Sequence, residues 1–125
     1  MTTTKHTAHW TLEALAHAGV KTIVFSPGSR NAPLIIAAEA LGSFEMEVLG
    51  DERSAAFNAL GRSLVTGLPV AVCCTSGSAL ANYYPAILEA YYAHVPLIVL
   101  SADRPEERIN KGEGQTCVQR DFYEP

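Results

Sequence analysis

The stretch Val70–Ser78, VAVCCTSGS, decides the fold, because five apolar residues in a row give way to four small or hydroxyl-bearing ones. An apolar run without alternation is typical of a strand that is covered on both faces, as in a parallel sheet. Ahead of it, Arg53–Val65 has the pattern of an amphipathic helix that ends at Gly67. After it, Ser78–Ala93 has the pattern of a long helix. The stretch therefore predicts a buried strand between two helices.

The same alternation of helix and strand extends over most of the chain. The other predicted helices are His6–Ala18 and Asn31–Leu41, and the other predicted strands are Lys21–Phe25, Met46–Leu49 and Leu97–Leu100. Strands that alternate with helices predict an α/β protein with three layers, α/β/α, around a mainly parallel sheet. The segment Ala102–Pro125 is polar and lacks periodicity, and we expect it to loop over the sheet edge.

Length and composition narrow the class of protein. The 125 residues are 48% apolar with a formal net charge of −4, so disorder is excluded and one domain, residues 1–125, is expected. Without a Lys/Arg cluster, no nucleic-acid partner is expected. The uncharged run Ser63–Leu88 is interrupted by Gly and Pro residues, which argues against insertion into a membrane. The three cysteines, an odd number without metal-ligand spacing, favour the reducing cytoplasm and predict no metal site.

Polar loops follow all four predicted strands. They are Ser26–Asn31, Gly50–Arg53, Thr75–Ser78 and Ser101–Pro105. The turns at the opposite edge of the sheet lack such a concentration of hydroxyl-bearing and charged residues. Ligands of open α/β sheets bind beyond the carboxyl ends of the strands. We therefore expect these four loops to form a binding site.

Several loop residues also have a purely structural explanation. Four are of types that cap helices: Ser29, Asn31, Ser76 and Ser78. Asp51 and Glu52 open a predicted helix, where a carboxylate suits the positive end of the helix dipole. Cys73 and Cys74 fit the core of a strand, and the four tyrosines of Ser78–Ala93 fit either the core or a contact between subunits.

Arg30 and Arg104 are harder to explain by local structure. A guanidinium group just past the carboxyl end of a strand pairs well with a carboxylate or a phosphate. Binding of an anionic ligand is one interpretation, and an internal salt bridge with Asp51 or Asp103 is the other. The chain has neither a glycine-rich nucleotide motif nor the G-x-S-x-G nucleophile motif.

Three motifs together resemble the pyrimidine-binding domain of the thiamine diphosphate enzymes. They are Asp51-Glu52-Arg53-Ser54-Ala55-Ala56, Thr66-Gly67-Leu68-Pro69-Val70 and Thr75-Ser76-Gly77-Ser78. Further motifs are similar to those of the branch of that family that acts in menaquinone biosynthesis. They are Ser26-Pro27-Gly28-Ser29-Arg30 and Ser101-Ala102-Asp103-Arg104-Pro105, together with Gln115. The likeness runs from about Trp10 to Gln119.

The resemblance implies a role for each loop. Glu52 matches the catalytic glutamate that hydrogen-bonds a ring nitrogen of the cofactor pyrimidine and promotes loss of a cofactor proton. Thr75 and Ser76 match the loop beside that ring. Substrate-binding positions of the family match Ser29, Arg30, Arg104 and Gln115. The reaction implied is decarboxylation of 2-oxoglutarate and addition of the product carbanion equivalent to isochorismate, by a transferase that is a homo-oligomer.

The chain also departs from the family pattern. Many members have Pro-Gly where this chain has Ser78-Ala79, and a histidine where it has Asp51. Nothing matches the G-D-G…N motif by which a second domain, from a neighbouring subunit, binds Mg²⁺ and the diphosphate. We therefore expect a pyrimidine-binding domain that belongs to a longer multidomain chain and is inactive alone. Two alternatives are another thiamine diphosphate-dependent 2-oxo acid decarboxylase or ligase, and a non-catalytic α/β module that binds an anionic metabolite.

Overall fold

A computed structural model describes residues 3–124 of the chain, so residues 1, 2 and 125 of the predicted domain lie outside the described residues. In chain order the elements are α1 (Thr3–His17), β1 (Thr22–Phe25), α2 (Ala32–Leu41), β2 (Glu45–Val48), α3 (Glu52–Thr66), β3 (Val70–Cys74), α4 (Ser78–Asn82), α5 (Tyr84–Tyr92) and β4 (Leu97–Ser101). A short 3-10 turn, Glu106–Arg108, follows. All four predicted strands are present, with ends within two residues of the predicted ones.

The strands form one parallel sheet in the order β2-β1-β3-β4. Val24 of β1 pairs with Val72 of β3, and Cys73 of β3 pairs with Leu100 of β4. Parallel neighbours require a crossover between strands, and the helices provide it. The three-layer α/β/α fold with a parallel sheet is confirmed.

Two apolar cores lie on opposite faces of the sheet, and successive residues of each strand alternate between them. Leu12, Phe25 and Cys73 belong to the core that α1 and α2 cover. Val72 and Cys74 belong to the core that α3, α4 and α5 cover. Because β3 is buried along its whole length, it needs apolar side chains on both faces. The placement of the two neighbouring cysteines in the strand core is confirmed.

The predicted long helix Ser78–Ala93 is wrong in one respect, because it is two helices that meet at Tyr83. Pro85 explains the break. Proline has no N–H to donate to the carbonyl four residues earlier, so it is tolerated in the first turn of a helix and not in the interior. The tyrosines divide accordingly, since Tyr83 is fully buried whereas Tyr91 and Tyr92 are 71% and 77% exposed.

The segment after β4 folds back over the carboxyl ends of β3 and the edge strand β4, as expected for Ala102–Pro125 as far as residue 124. The Gln119 side chain contacts Gly77 and Ala102, which follow β3 and β4. Tyr123 packs against the core below α4 and donates a hydrogen bond to the Leu80 carbonyl at 2.5 Å. Among the helices of residues 3–124, none has the length and apolar character to cross a membrane.

Candidate functional site

The loops that follow the strands begin side by side at the carboxyl edge of the sheet. The backbone ladder continues past the strands, since Ser26 N–H donates to the Cys73 carbonyl at 2.8 Å and Ala102 N–H donates to the Cys74 carbonyl at 3.1 Å. Leu49 N–H likewise donates to the Phe25 carbonyl at 2.9 Å. The parallel register therefore brings the predicted loops to one edge.

Glu52 is the first residue of α3, and its position is fixed by the cap in front of it. Asp51 accepts a hydrogen bond from Ser54 N–H at 2.8 Å and so caps the helix, in addition to the position at the helix start that was expected of it. The hydrogen bonds from Ser54 hold the pKa of Asp51 below its ordinary value. Burial raises the pKa of Cys74 to about 12, and the charge of the half-buried Glu52 adds to that rise. Glu52 therefore begins α3 directly after its cap, a short loop beyond the end of β2 at Val48.

The first loop is held by Asn31, which is fully buried. Its Oδ1 accepts a hydrogen bond from Gly28 N–H at 2.7 Å, and its Nδ2 donates to the Ser26 carbonyl at 2.9 Å. It makes no side-chain bond to the first turn of α2, so the capping explanation of Asn31 is wrong. The amide organises the loop in front of the helix instead.

The T-S-G loop touches the first loop at Gly28. An ideal Cβ on Gly28 would lie 2.6 Å from the Cβ of Thr75, so any other residue there would force the two loops apart. The Thr75 hydroxyl is buried, and within the described part of the chain it has no hydrogen-bond partner. Ser76 Oγ donates to the backbone carbonyl of Gln115 at 2.7 Å and does not cap a helix, so that capping explanation is also wrong.

Arg30 and Gln115, two of the predicted substrate-binding residues, meet directly. Arg30 Nη1 donates a hydrogen bond to Gln115 Oε1, across 85 positions of sequence. Because Ser76 binds the backbone of the same Gln115, the loops after β1 and β3 and the segment after β4 converge at this residue.

Arg104 has an ionic partner that the sequence did not suggest. Its Nη1 lies 3.5 Å from Oε2 of Glu113, and Arg108 Nη1 lies 2.5 Å from Oε1 of the same carboxylate. The hydrogen bond from Arg108 lowers the pKa of Glu113, and the charges of Arg104 and Arg30 act in the same direction. The predicted partners were wrong, because Asp103 accepts a bond from the Arg104 backbone N–H instead and Asp51 caps α3. The buried Nε of Arg104 has no partner in residues 3–124.

Ser29 lies apart from this group. It is exposed and lines a groove of about 630 Å³ between α1 and α2, together with Pro33 and Ile36. A second cavity, of about 490 Å³, lies beside Arg30 and is lined by Ser101 and Asp103 among others. Neither space includes Glu52 or Thr75 among its lining residues. Ser29 and Arg30 therefore border separate spaces, and Glu52 borders neither of the two.

A residue that sequence reasoning missed, Gln119, holds the segment after β4 in place. It is almost fully buried, accepts from Gly77 N–H and donates to the Ala102 carbonyl. Its position four residues after Gln115 in an aperiodic segment gives no sequence signal. No group of three or more His, Cys, Asp or Glu side chains in the described part of the chain could hold a metal ion.

Comparison with known proteins identifies close relatives. A 2-succinyl-5-enolpyruvyl-6-hydroxy-3-cyclohexene-1-carboxylate synthase of Cytophaga hutchinsonii is 58% identical over 111 residues, which cover 89% of this chain and 20% of that protein. Synthases of the same name from Flavobacterium johnsoniae and Desulfotalea psychrophila are 51% and 50% identical, over 90% and 95% of this chain. The chain therefore spans about a fifth of the length of these relatives.

The family comparison covers nearly the whole chain. Residues 5–123 match the family described as thiamine pyrophosphate enzyme, N-terminal TPP binding domain. The sheet order and the polar loops at its carboxyl edge agree with the fold expected for such a domain. The chain belongs to the thiamine pyrophosphate enzyme family and carries its N-terminal TPP binding domain.

Proposed function

We propose that this chain is the pyrimidine-binding part of a thiamine diphosphate-dependent synthase. The whole enzyme would decarboxylate 2-oxoglutarate and add the resulting succinyl carbanion equivalent to isochorismate, in menaquinone biosynthesis. The observation that carries the proposal is the contact of Arg30 with Gln115 on top of the T-S-G loop, because it joins an anion-binding group to the predicted cofactor loop. The synthases at 50–58% identity support this choice of reaction.

The residues present fit the pyrimidine end of thiamine diphosphate. That ring offers nitrogen atoms and an amino group. The chain offers the half-buried carboxylate of Glu52 and the Thr75 hydroxyl, which has no hydrogen-bond partner among residues 3–124. Leaving a buried hydroxyl unpaired costs about 1–3 kcal/mol, which a bound ligand would remove. We infer that Glu52 shares a proton with a ring nitrogen and that Thr75 and Ser76 border the ring. When bound, the cofactor supplies the group that stabilises a carbanion.

The substrate side of the site would be cationic. Two guanidinium groups, of Arg30 and Arg104, suit substrates that carry carboxylates, and the Gln115 amide adds a neutral donor. Arg104 is held by Glu113 at 3.5 Å, so a substrate carboxylate would meet an arginine that is already oriented. Ser29 is the fourth residue that we propose for substrate binding, although it faces a separate groove between α1 and α2.

The remaining parts of the enzyme would come from outside this chain. We propose that Mg²⁺ and the diphosphate are held by a second domain of a neighbouring subunit in a homo-oligomer, and that the chain alone is inactive. The exposed Tyr91 and Tyr92 of α5 are our candidates for the subunit contact. Free cysteines at all three positions support a cytoplasmic location.

The proposal is tested by supplying the full-length protein with thiamine diphosphate, Mg²⁺ and 2-oxoglutarate, with and without isochorismate. We expect release of carbon dioxide that depends on isochorismate, with one coupled product by mass spectrometry. Release that ignores isochorismate would favour another 2-oxo acid decarboxylase. Binding of the acid without any release would favour a non-catalytic module.

Matched variants locate the substrate side. Arg30→Gln should raise the KM for 2-oxoglutarate about tenfold or more, since it removes a charged hydrogen-bond donor worth about 1.5–3 kcal/mol. Arg120→Gln removes the same charge from an exposed position whose ionic contact is 4.0 Å away, and should leave the KM unchanged. Equal KM values for the two variants would contradict the role of Arg30.

The expected inactivity of the isolated chain has its own test. Calorimetric titration of residues 1–125 with thiamine diphosphate and Mg²⁺ should show weak binding or none. Micromolar, Mg²⁺-dependent binding would contradict the proposal that the diphosphate is held elsewhere.

A further inference from the structure

We propose that Gln119 is a positioning residue. It holds the segment after β4 against the T-S-G loop and so fixes the positions of Gln115 and Arg30. This inference deepens the proposed function and rests on it for the identity of the substrate. The geometry that supports it lies entirely within the described chain. We define the strap as residues 115–119.

The side-chain amide of Gln119 joins two loops that follow different strands. Its Oε1 accepts a hydrogen bond from Gly77 N–H at 2.7 Å, in the loop after β3. Its Nε2 donates to the Ala102 carbonyl at 2.9 Å, and to Ser101 Oγ at 3.4 Å, at the end of β4. The residue is only 9% exposed, so water competes little for these groups. One amide therefore fixes both the distance between two loops and the strap that carries it.

Only an amide satisfies both loops at this position. A carboxylate of the same shape keeps the acceptor for Gly77 N–H but places a second oxygen against the Ala102 carbonyl. An apolar side chain of similar length leaves both backbone groups unpaired, and buried unpaired groups are costly. Gln119→Glu and Gln119→Met therefore break the lock at one end and at both ends.

The other end of the strap carries the residue that contacts Arg30. The Gln115 backbone lies so close to Gly77 that an ideal Cβ on this glycine would be 2.8 Å from the Gln115 Cα. Gly77 has φ 85°, which also favours glycine. Gln115 accepts from Ser76 Oγ through its backbone carbonyl and from Arg30 through its side chain. A strap released at Gln119 can shift at Gln115, and Arg30 then loses its fixed partner.

The experiment uses the full-length protein with Gln119→Met, Gln119→Glu and, as a matched control, Arg120→Ala. Arg120 neighbours Gln119 in sequence, and its side chain is 88% exposed. Two readouts are needed, steady-state kinetics with 2-oxoglutarate and isochorismate, and hydrogen exchange of the Gly77 amide. Thermal melts identify any variant that does not fold. If Gln119→Met does not fold, the kinetic test is carried out with Gln119→Glu.

We expect kcat/KM for 2-oxoglutarate to fall about tenfold or more in both Gln119 variants, because displacement of binding groups by about 1 Å costs up to ~100-fold. The loss should fall mainly on KM, while the affinity for thiamine diphosphate changes less than about threefold, since Glu52 stands on α3 and outside the strap. The Gly77 amide should exchange faster in the Met variant and stay protected in the Glu variant. Arg120→Ala should match the wild type.

Two results would overturn the inference. One is a Gln119→Met variant with wild-type KM and wild-type Gly77 exchange. The other is lower thermal stability with an unchanged KM, which indicates a merely structural role. If the wild type itself does not turn over the two acids, the proposed function fails. Gly77 exchange and the position of Gln115 in a variant crystal structure then decide whether Gln119 locks the strap.

Discussion

Replacement of Gly28 by alanine tests the contact on which the cofactor side of the site is built. An ideal Cβ at this position lies 2.6 Å from Thr75 Cβ, 2.9 Å from Oγ1 and 3.0 Å from Cγ2. Ordinary contacts begin at 3.4 Å, so the two loops would have to separate by about 0.8 Å. Thr75 is β-branched and its Cβ is attached to the backbone, so the side chain cannot rotate away.

The expected cost follows from two opposing effects. Overpacking of this kind destabilises a folded protein by about 1–3 kcal/mol. Gly28 does not have a positive φ, so alanine tolerates its backbone conformation. Because alanine has less conformational freedom than glycine in the unfolded chain, the substitution also stabilises the folded state by about 0.4–1 kcal/mol. We expect Gly28→Ala to lower the free energy of unfolding by about 1–2 kcal/mol, as measured by urea denaturation.

Gly50→Ala is the matched control, because a Cβ there meets nothing within 4 Å and φ is not positive. It should be neutral or slightly stabilising. A double-mutant cycle with Thr75→Gly, which removes the clashing atoms, should recover at least about 1 kcal/mol of the Gly28→Ala loss. A Gly28→Ala variant as stable as the wild type, or strictly additive effects in the cycle, would refute the reasoning.

Three further expectations need only simple assays. Asp51→Ala should lower the urea midpoint at pH 7, because the ionised Asp51 stabilises the folded state, as its lowered pKa indicates. The difference in midpoint between variant and wild type should narrow as the pH falls below 3.8, where Asp51 becomes protonated. A difference that persists unchanged at pH 2 would contradict this. Burial raises the pKa of Cys73 and Cys74 to about 12. A thiol reagent at pH 8 should therefore label only Cys117 in the native protein, and all three thiols after denaturation. Rapid labelling of all three thiols in the native protein would count against the fold. Tyr83→Phe should cost about 1 kcal/mol in a urea titration, because it removes a buried hydrogen bond to Ser26, and an unchanged midpoint would show that the bond contributes nothing.

The fold was predictable because its main signals are local. Unbroken apolar runs such as VAVCC identify strands buried on both faces, and Gly42 and Gly67, at φ 61° and 68°, end helices as such residues usually do. Two helix predictions were in error. The break at Tyr83 was missed because the apolar pattern of the segment outweighed the local effect of Pro85, and α1 begins at Thr3 and not at His6.

The polar contacts of the site were less predictable, because their partners are distant in sequence. Ser76 has the chemistry of a helix cap, and nothing near it indicates that it binds Gln115, 39 positions away. Arg30 and Gln115 are separated by 85 positions. Asp51, whose partner lies three residues away, was correctly placed at the start of a helix from the local sequence, although its role as a side-chain cap was not predicted. Residue type indicated which side chains form hydrogen bonds or ion pairs within the chain, and only the three-dimensional arrangement reveals their partners.

Exchange of the C2 proton of thiamine diphosphate for deuterium, followed by NMR on the full-length protein, tests the role of Glu52 most directly. Glu52→Gln keeps the shape of the side chain and removes its ability to share a proton. Glu39→Gln makes the same change at an exposed position on α2 and serves as the control. We expect exchange at least ~100-fold slower in Glu52→Gln, the contribution typical of a positioned acid–base group, and wild-type exchange in Glu39→Gln. Wild-type exchange in a folded, cofactor-bound Glu52→Gln protein would contradict the assignment of Glu52.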